Sequence, residues 1–157
     1  MDYFYMSKAD ESAMDNPILV VLNEETNERY ARATGSTGVG SDGIMDWLVR
    51  DISEELKFWG HAGGTGGHII LKCDGAKSML AIRDAVAKFH GGIVVPESPA
   101  KNESPSNGYV EGAGRIVREF TRVFKFQIEE LAGIEIESTD NICSGQLDGR
   151  QWCVLDI

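Results

Sequence analysis

The chain has 157 residues, enough for one domain with its own core, and its 42% hydrophobic and 25% charged residues mark a soluble globule rather than a disordered or membrane protein. A formal net charge of −10 excludes passive basic binding of nucleic acid, although cations gathered on one face would still reach phosphate. Cys73, Cys143 and Cys153 are an odd number with no C-x-x-C pair, which indicates neither a zinc ribbon nor a disulfide framework and leaves a reduced, intracellular setting as the default.

The start, Met1-Asp-Tyr-Phe-Tyr-Met6, lacks the basic and long apolar regions of a signal peptide and reads as a short aromatic strand. Residues 17–22 form a near-continuous apolar run, the pattern of a buried strand. Residues 23–27 read as a turn, and residues 29–34 as the return strand of a hairpin. After a glycine-rich break, Ile44, Trp47, Leu48, Ile52, Leu56 and Trp59 recur at helical spacing, so a helix is expected over 42–59, capped by Ser41 or Asp42. Asp46, Asp51, Glu54 and Glu55 fall off that stripe and read as a solvated face.

Residues 60–67 are a glycine-rich connector without the Gly-Lys-Ser/Thr ending of a phosphate loop. The flanking His61 and His68 read as ordinary loop residues, and His90 as a helix-end residue favoured by the dipole. A second apolar strand follows over 68–73, ending at Asp74-Gly75. A helix is expected over 76–89, with Met79, Ile82, Val86 and Phe89 inward, stopped by Gly91-Gly92. A short strand over 93–95 is closed by Pro96, and residues 97–107 form a mobile loop. The longest helix spans 108–131, with Val110, Ala113, Val117, Phe120, Phe124, Ile128 and Leu131 as its core stripe. No apolar run approaches the ~18 residues of a membrane span.

This order gives an α/β fold: a meander, then strand–helix–strand crossovers, making one mixed sheet with helices on both faces. Strand 1 is expected to pair antiparallel with strand 2 and parallel with strand 4. Ligands of such sheets gather at the carboxyl ends of neighbouring parallel strands. There Asp2, Asp74 and Glu111 can converge from three elements. Singly, each has an ordinary explanation as a chain-end residue, a turn or cap residue, and a residue answering the helix dipole.

Together they match a pattern. Ile70-Leu-Lys-Cys-Asp74, followed by the helix containing Ala81-Ile-Arg-Asp-Ala-Val86, resembles the integrase catalytic core of retroviruses and retrotransposons. So does Glu97-Ser-Pro-Ala-Lys-Asn-Glu-Ser-Pro-Ser-Asn-Gly-Tyr-Val-Glu111, whose Asn107-Gly108-x-x-Glu111 ending is its most specific part. The 36 residues between Asp74 and Glu111 are close to the family's spacing. The Asp2-Tyr-Phe-Tyr-Met6 start looks like the family's first strand. The resemblance covers about residues 2–137 and leaves 138–157 as a divergent tail. It implies an RNase H-like five-stranded sheet, strands 1-2-3 antiparallel and strands 4 and 5 parallel to strand 1. It implies metal-dependent phosphoryl transfer, first trimming DNA ends and then joining them to target DNA. Asp2, Asp74 and Glu111 would hold two Mg²⁺ or Mn²⁺ ions, Asp2 bridging both. Asn107 and Gly108 would support the active-site loop. A homo-oligomer on DNA is implied, without a membrane, and nuclear in a eukaryotic host or otherwise cytoplasmic.

Spacing adds one feature. Glu111, Arg115, Arg118, Arg122 and Lys125 follow at steps of four, three, four and three, placing four cations on the helical face of Glu111. Such a face suits DNA phosphates, and Lys77 and Lys101 extend it. Three departures accompany the resemblance. Met1 alone precedes Asp2, so the central strand is expected to be short and to lose pairing. After about Thr139 the glycine-containing Cys143-Ser-Gly-Gln-Leu-Asp-Gly149 is poor helix material. The zinc-binding and carboxyl-terminal DNA-binding modules of full integrases have no counterpart, which implies a core cut from a longer polyprotein or a remnant of one. Two other readings stay open: an RNase H-type nuclease using Glu54 or Glu55, and an inactive remnant that binds DNA or protein.

Overall fold

In chain order the computed structural model contains β1 (Asp2–Phe4), β2 (Ile18–Leu22), β3 (Arg29–Ala33), α1 (Ile44–Phe58), β4 (His68–Lys72), α2 (Lys77–His90), β5 (Ile93–Glu97), α3 (Gly108–Ala132), β6 (Gly145–Leu147) and β7 (Arg150–Trp152). It describes residues 1–6, 11–12, 16–37, 44–61, 68–97, 108–135, 145–147 and 150–152. The expected caps Ser41 and Asp42 lie outside them, as do Lys101 and Asn107. No helix among the described residues is long and apolar enough to cross a membrane.

The architecture is α/β. β1, β2 and β3 form an antiparallel sheet in that order, with Asp2 opposite Val20 and Val20 opposite Ala31. β4 and β5 form a separate parallel pair, with Ile70 opposite Val95. β6 and β7 make a small antiparallel hairpin within the expected tail. The expected parallel pairing of β1 with β4 is absent among the described residues. In its place the Met1 ammonium donates to the Lys72 carbonyl at 2.7 Å. β1 has three residues, and its approach to β4 falls at Lys72, the carboxyl end of that strand.

β2 is apolar throughout because both its faces are covered. Leu19 and Val21 join Met1, Leu48, Ile52 and Leu56 in the larger core. Leu71 and Cys73 from β4 and Met79, Ile82 and Val86 from α2 enter the same cluster, so one core serves both sheets. On the opposite face Ile18, Val20 and Ala31 meet Val110, Ala113 and Val117 of α3. Helices therefore cover both faces of the antiparallel sheet, as the element order implied.

Four details depart from expectation. α3 buries only its first half: Val110, Ala113 and Val117 are inside, but Phe120, Phe124, Ile128 and Leu131 are exposed, Leu131 at 89%. The helix outruns the short β1 and β2 beneath it. Phe89 is 49% exposed, whereas His90 is buried and its Nδ1 lies 2.9 Å from Ser53 Oγ on α1. β5 runs through Pro96 to Glu97, because proline's missing N–H is tolerated on an edge strand. Asp51 is no solvated residue: its carboxylate accepts from Tyr30 Oη at 2.7 Å and Arg32 Nε at 2.8 Å, tying α1 to β3.

Candidate active site

Asp2 stands on β1, where strand alternation turns Asp2 and Phe4 toward α3 while Met1 and Tyr3 join the core on the α1 side. Its Oδ1 accepts the Tyr3 N–H at 2.8 Å. Glu111 lies in the first turn of α3, which crosses β1 and β2 on that side. The two carboxylates line one cavity of about 230 Å³, together with Phe4, Gly114, Arg115 and Arg118. Asp74 follows β4, where its Oδ1 accepts the Ala76 N–H at 3.2 Å and so turns the chain into α2.

The electrostatics join all three. Burial pushes the Asp2 carboxyl above its usual range, and the negative charges of Asp74 and Glu111 push it further in the same direction. The Tyr3 N–H and the Met1 ammonium pull it partly back. Nevertheless, among the described residues no three His, Cys, Asp or Glu side chains are grouped closely enough to hold a metal ion. The donor chemistry, three hard carboxylates, suits Mg²⁺ or Mn²⁺. The compact arrangement of a loaded site is not there.

The cationic stripe divides in two. Arg115 and Arg118 line the carboxylate cavity, and the Arg118 guanidinium carbon sits 5.3 Å from the Phe4 ring centroid. The Arg118 Nε is buried without a hydrogen-bond partner among the described residues, a donor short of an acceptor. Farther along, Arg122 pairs with Glu119 at 2.9 Å and Lys125 with Glu129 at 3.6 Å. Such i,i+3 and i,i+4 pairs on a helix surface are worth only about 0.3–0.5 kcal/mol, so a phosphate can compete for these cations. Lys77 is exposed at the start of α2, three residues beyond Asp74, and Gly108 opens α3.

Residue-type reasoning missed Gly114 and Phe4. A Cβ on Gly114 would lie 3.2 Å from Phe4 Cδ1, so this glycine lets α3 approach β1 and carry Glu111 to the cavity of Asp2. A usable signal was present: Gly112 and Gly114 interrupt a strong helical pattern, which a helix tolerates chiefly for close packing. His61 and His68 line a different cavity of about 410 Å³ between β2 and β4. Cys73 is buried, and that burial pushes its thiol up, away from reactivity. Comparisons of the chain with protein-family models, with curated proteins and with solved structures found no match.

Proposed function

We propose that the chain is an integrase-type catalytic core that performs phosphoryl transfer on DNA, with Asp2, Asp74 and Glu111 as its cation-binding carboxylates. One observation carries the reading: Asp2 and Glu111, far apart in sequence, line a single cavity with Arg115 and Arg118. The repulsion that Asp74 and Glu111 exert on a half-buried Asp2 is relieved when a divalent cation neutralises the group. When bound, Mg²⁺ or Mn²⁺ would activate the attacking oxygen and stabilise the leaving oxygen of an in-line displacement. The protein's own contribution is to hold the DNA: Arg115 and Arg118 take the phosphate beside the carboxylates, and a phosphate oxygen supplies the acceptor that Arg118 Nε lacks. Arg122, Lys125, Lys77 and Lys101 extend the grip along the duplex. The RNase H-like five-stranded sheet belongs to the same proposal, β1 standing between β2 and β4, as the hydrogen bond from Met1 to Lys72 suggests.

The test is Mn²⁺-dependent nicking and strand transfer on a labelled DNA duplex. Wild type should act, Asp74→Asn and Glu111→Gln should lose at least a hundredfold, and Glu54→Ala should keep its activity. Loss with Glu54→Ala and retention with Glu111→Gln would instead assign an RNase H-type nuclease. Duplex binding with no activity at all would identify a DNA-binding remnant. A homo-oligomer is also proposed, and the stripe of Phe120, Phe124 and Leu131 that α3 leaves exposed is its natural seam.

A further inference from the structure

β3 is the outer strand of the antiparallel sheet, and its free edge lies beside a cavity that the proposed chemistry does not use. Backbone parity defines that edge. The Glu28 carbonyl accepts from Asn23 and the Thr34 N–H donates to Pro17, so the even-numbered residues of this segment bond to β2. Arg29, Ala31 and Ala33 therefore turn their N–H and C=O groups outward. Among the described residues those groups have no backbone partner. No proline blunts the edge. β5 differs: its Glu97 carbonyl accepts from Cys73 of the β4 side, which turns Pro96 to the open side. The side chains of Arg29, Ala31 and Ala33 share the face that α3 covers, because Tyr30 joins the core on the other side and Arg32 bonds to Asp51 of α1. There Arg29 and Ala31 border a cavity of about 310 Å³ whose apolar wall is Ile116, Val117 and Phe120 of α3. The Arg29 Nη2 donates to Asn27 Oδ1 at 2.9 Å, but its Nε is buried without a hydrogen-bond partner among the described residues. Glu28 also borders the cavity, and its carboxylate accepts from the Thr26 hydroxyl at 2.6 Å.

We infer that this edge and this cavity form one docking site, which takes an extended segment of a partner polypeptide as a further strand antiparallel to β3. About five residues, ~17 Å long, cover Arg29 to Ala33. The third residue stands opposite Ala31 and exchanges both backbone hydrogen bonds with it. Its side chain enters the cavity against Ile116, Val117 and Phe120, so it is large and apolar. The fifth residue stands opposite Arg29 and carries a carboxylate, which gives Arg29 Nε the acceptor it lacks. The partner is therefore recognised by an apolar residue followed two positions later by an acidic one. A small apolar acid would fill the cavity and meet Arg29 but leave the backbone edge open. A second copy adding its own β3 would bring Arg29, Ala31 and Ala33 to this face, with no carboxylate and no large apolar group among them. α3 presents Arg115 and Arg118 to the carboxylate cavity and Ile116 and Phe120 to this one, so the inference is independent of the proposed DNA chemistry.

The probe is a fluorescein-labelled, carboxyl-amidated heptapeptide of threonine with phenylalanine at its third position and glutamate at its fifth, titrated with the protein and read by anisotropy. Saturable binding is expected. Glutamine in place of the glutamate should weaken it about tenfold, and Arg29→Gln should erase that difference between the two peptides. A backbone N-methyl group on the phenylalanine removes a ladder donor but no side chain, and should weaken binding by about tenfold or more. The same group on the fourth residue, whose N–H points away from β3, should change binding less than about twofold. Leu131→Glu, on the proposed oligomer seam and outside this cavity, should leave the titration unchanged. Absence of saturable binding up to millimolar protein, equal effects of the two N-methyl groups, or indifference to the glutamate would overturn the inference.

Discussion

At the scale of single residues, Asp2 carries the most information. Its carboxyl is held above the usual range first by burial and then by Asp74 and Glu111. Below the ordinary carboxylate range the group is protonated in both folded and unfolded chains and has no effect on stability. As pH rises, the unfolded chain ionises first, and above the raised folded value the destabilisation is complete. Asp2→Asn is thus expected to raise the melting temperature at pH 7 and to leave it unchanged near about pH 3. A lower melting temperature at pH 7 would mean that the carboxylate is favourably engaged as it stands. Mg²⁺ should reverse the order by stabilising wild type alone, by ~1.4 kcal/mol at ten times its Kd. The candidate carboxylates were legible in the sequence because residue type and order mark them. Asp51 was not, because its partners Tyr30 and Arg32 come from a strand 19 to 21 positions away.

At the scale of elements, the contact of α3 with β1 decides the site. Gly114 sets its closeness, since a Cβ there would press on the Phe4 ring at 3.2 Å. Gly114→Ala gains about 1 kcal/mol of helix propensity against that contact, and a stability change within about 1 kcal/mol is expected. Gly114→Val adds branching that the ring cannot clear, and urea denaturation should show a loss of about 1–3 kcal/mol. The same variant should reduce DNA cleavage more than its stability loss explains, because it moves Glu111 away from Asp2. Undiminished cleavage would separate the activity from this cavity. Helix and strand positions were readable from periodicity, as Leu48, Ile52 and Leu56 on α1 demonstrate by their burial. The extent of burial along α3 was not, for periodicity records which face is apolar and not how much sheet lies beneath it.

At the scale of the whole molecule, one apolar surface stands out among the described residues: the outer half of α3. Phe120 and Phe124 stack with ring centroids 6.5 Å apart on a helix side that the described residues leave partly exposed. If this stripe is the seam of a homo-oligomer, Phe124→Glu and Leu131→Glu should each shift the chain to a monomer in sedimentation at micromolar concentration. Unchanged assembly in both variants would place the seam elsewhere. Neither residue lines the carboxylate cavity, so the far-ultraviolet circular dichroism of the variants should match wild type.

The α/β class, the order of the elements from β1 to α3, and the carboxylates and cations that share the start of α3 are all readable along the chain. These depend on local periodicity and residue chemistry, which a linear reading contains. Packing in three dimensions settled that Met1 bonds to β4 at Lys72, that Asp51 locks α1 to β3, and that Gly114 admits α3 to the cavity of Asp2. Each of these depends on the distance between groups remote in sequence, and packing sets that distance rather than pattern.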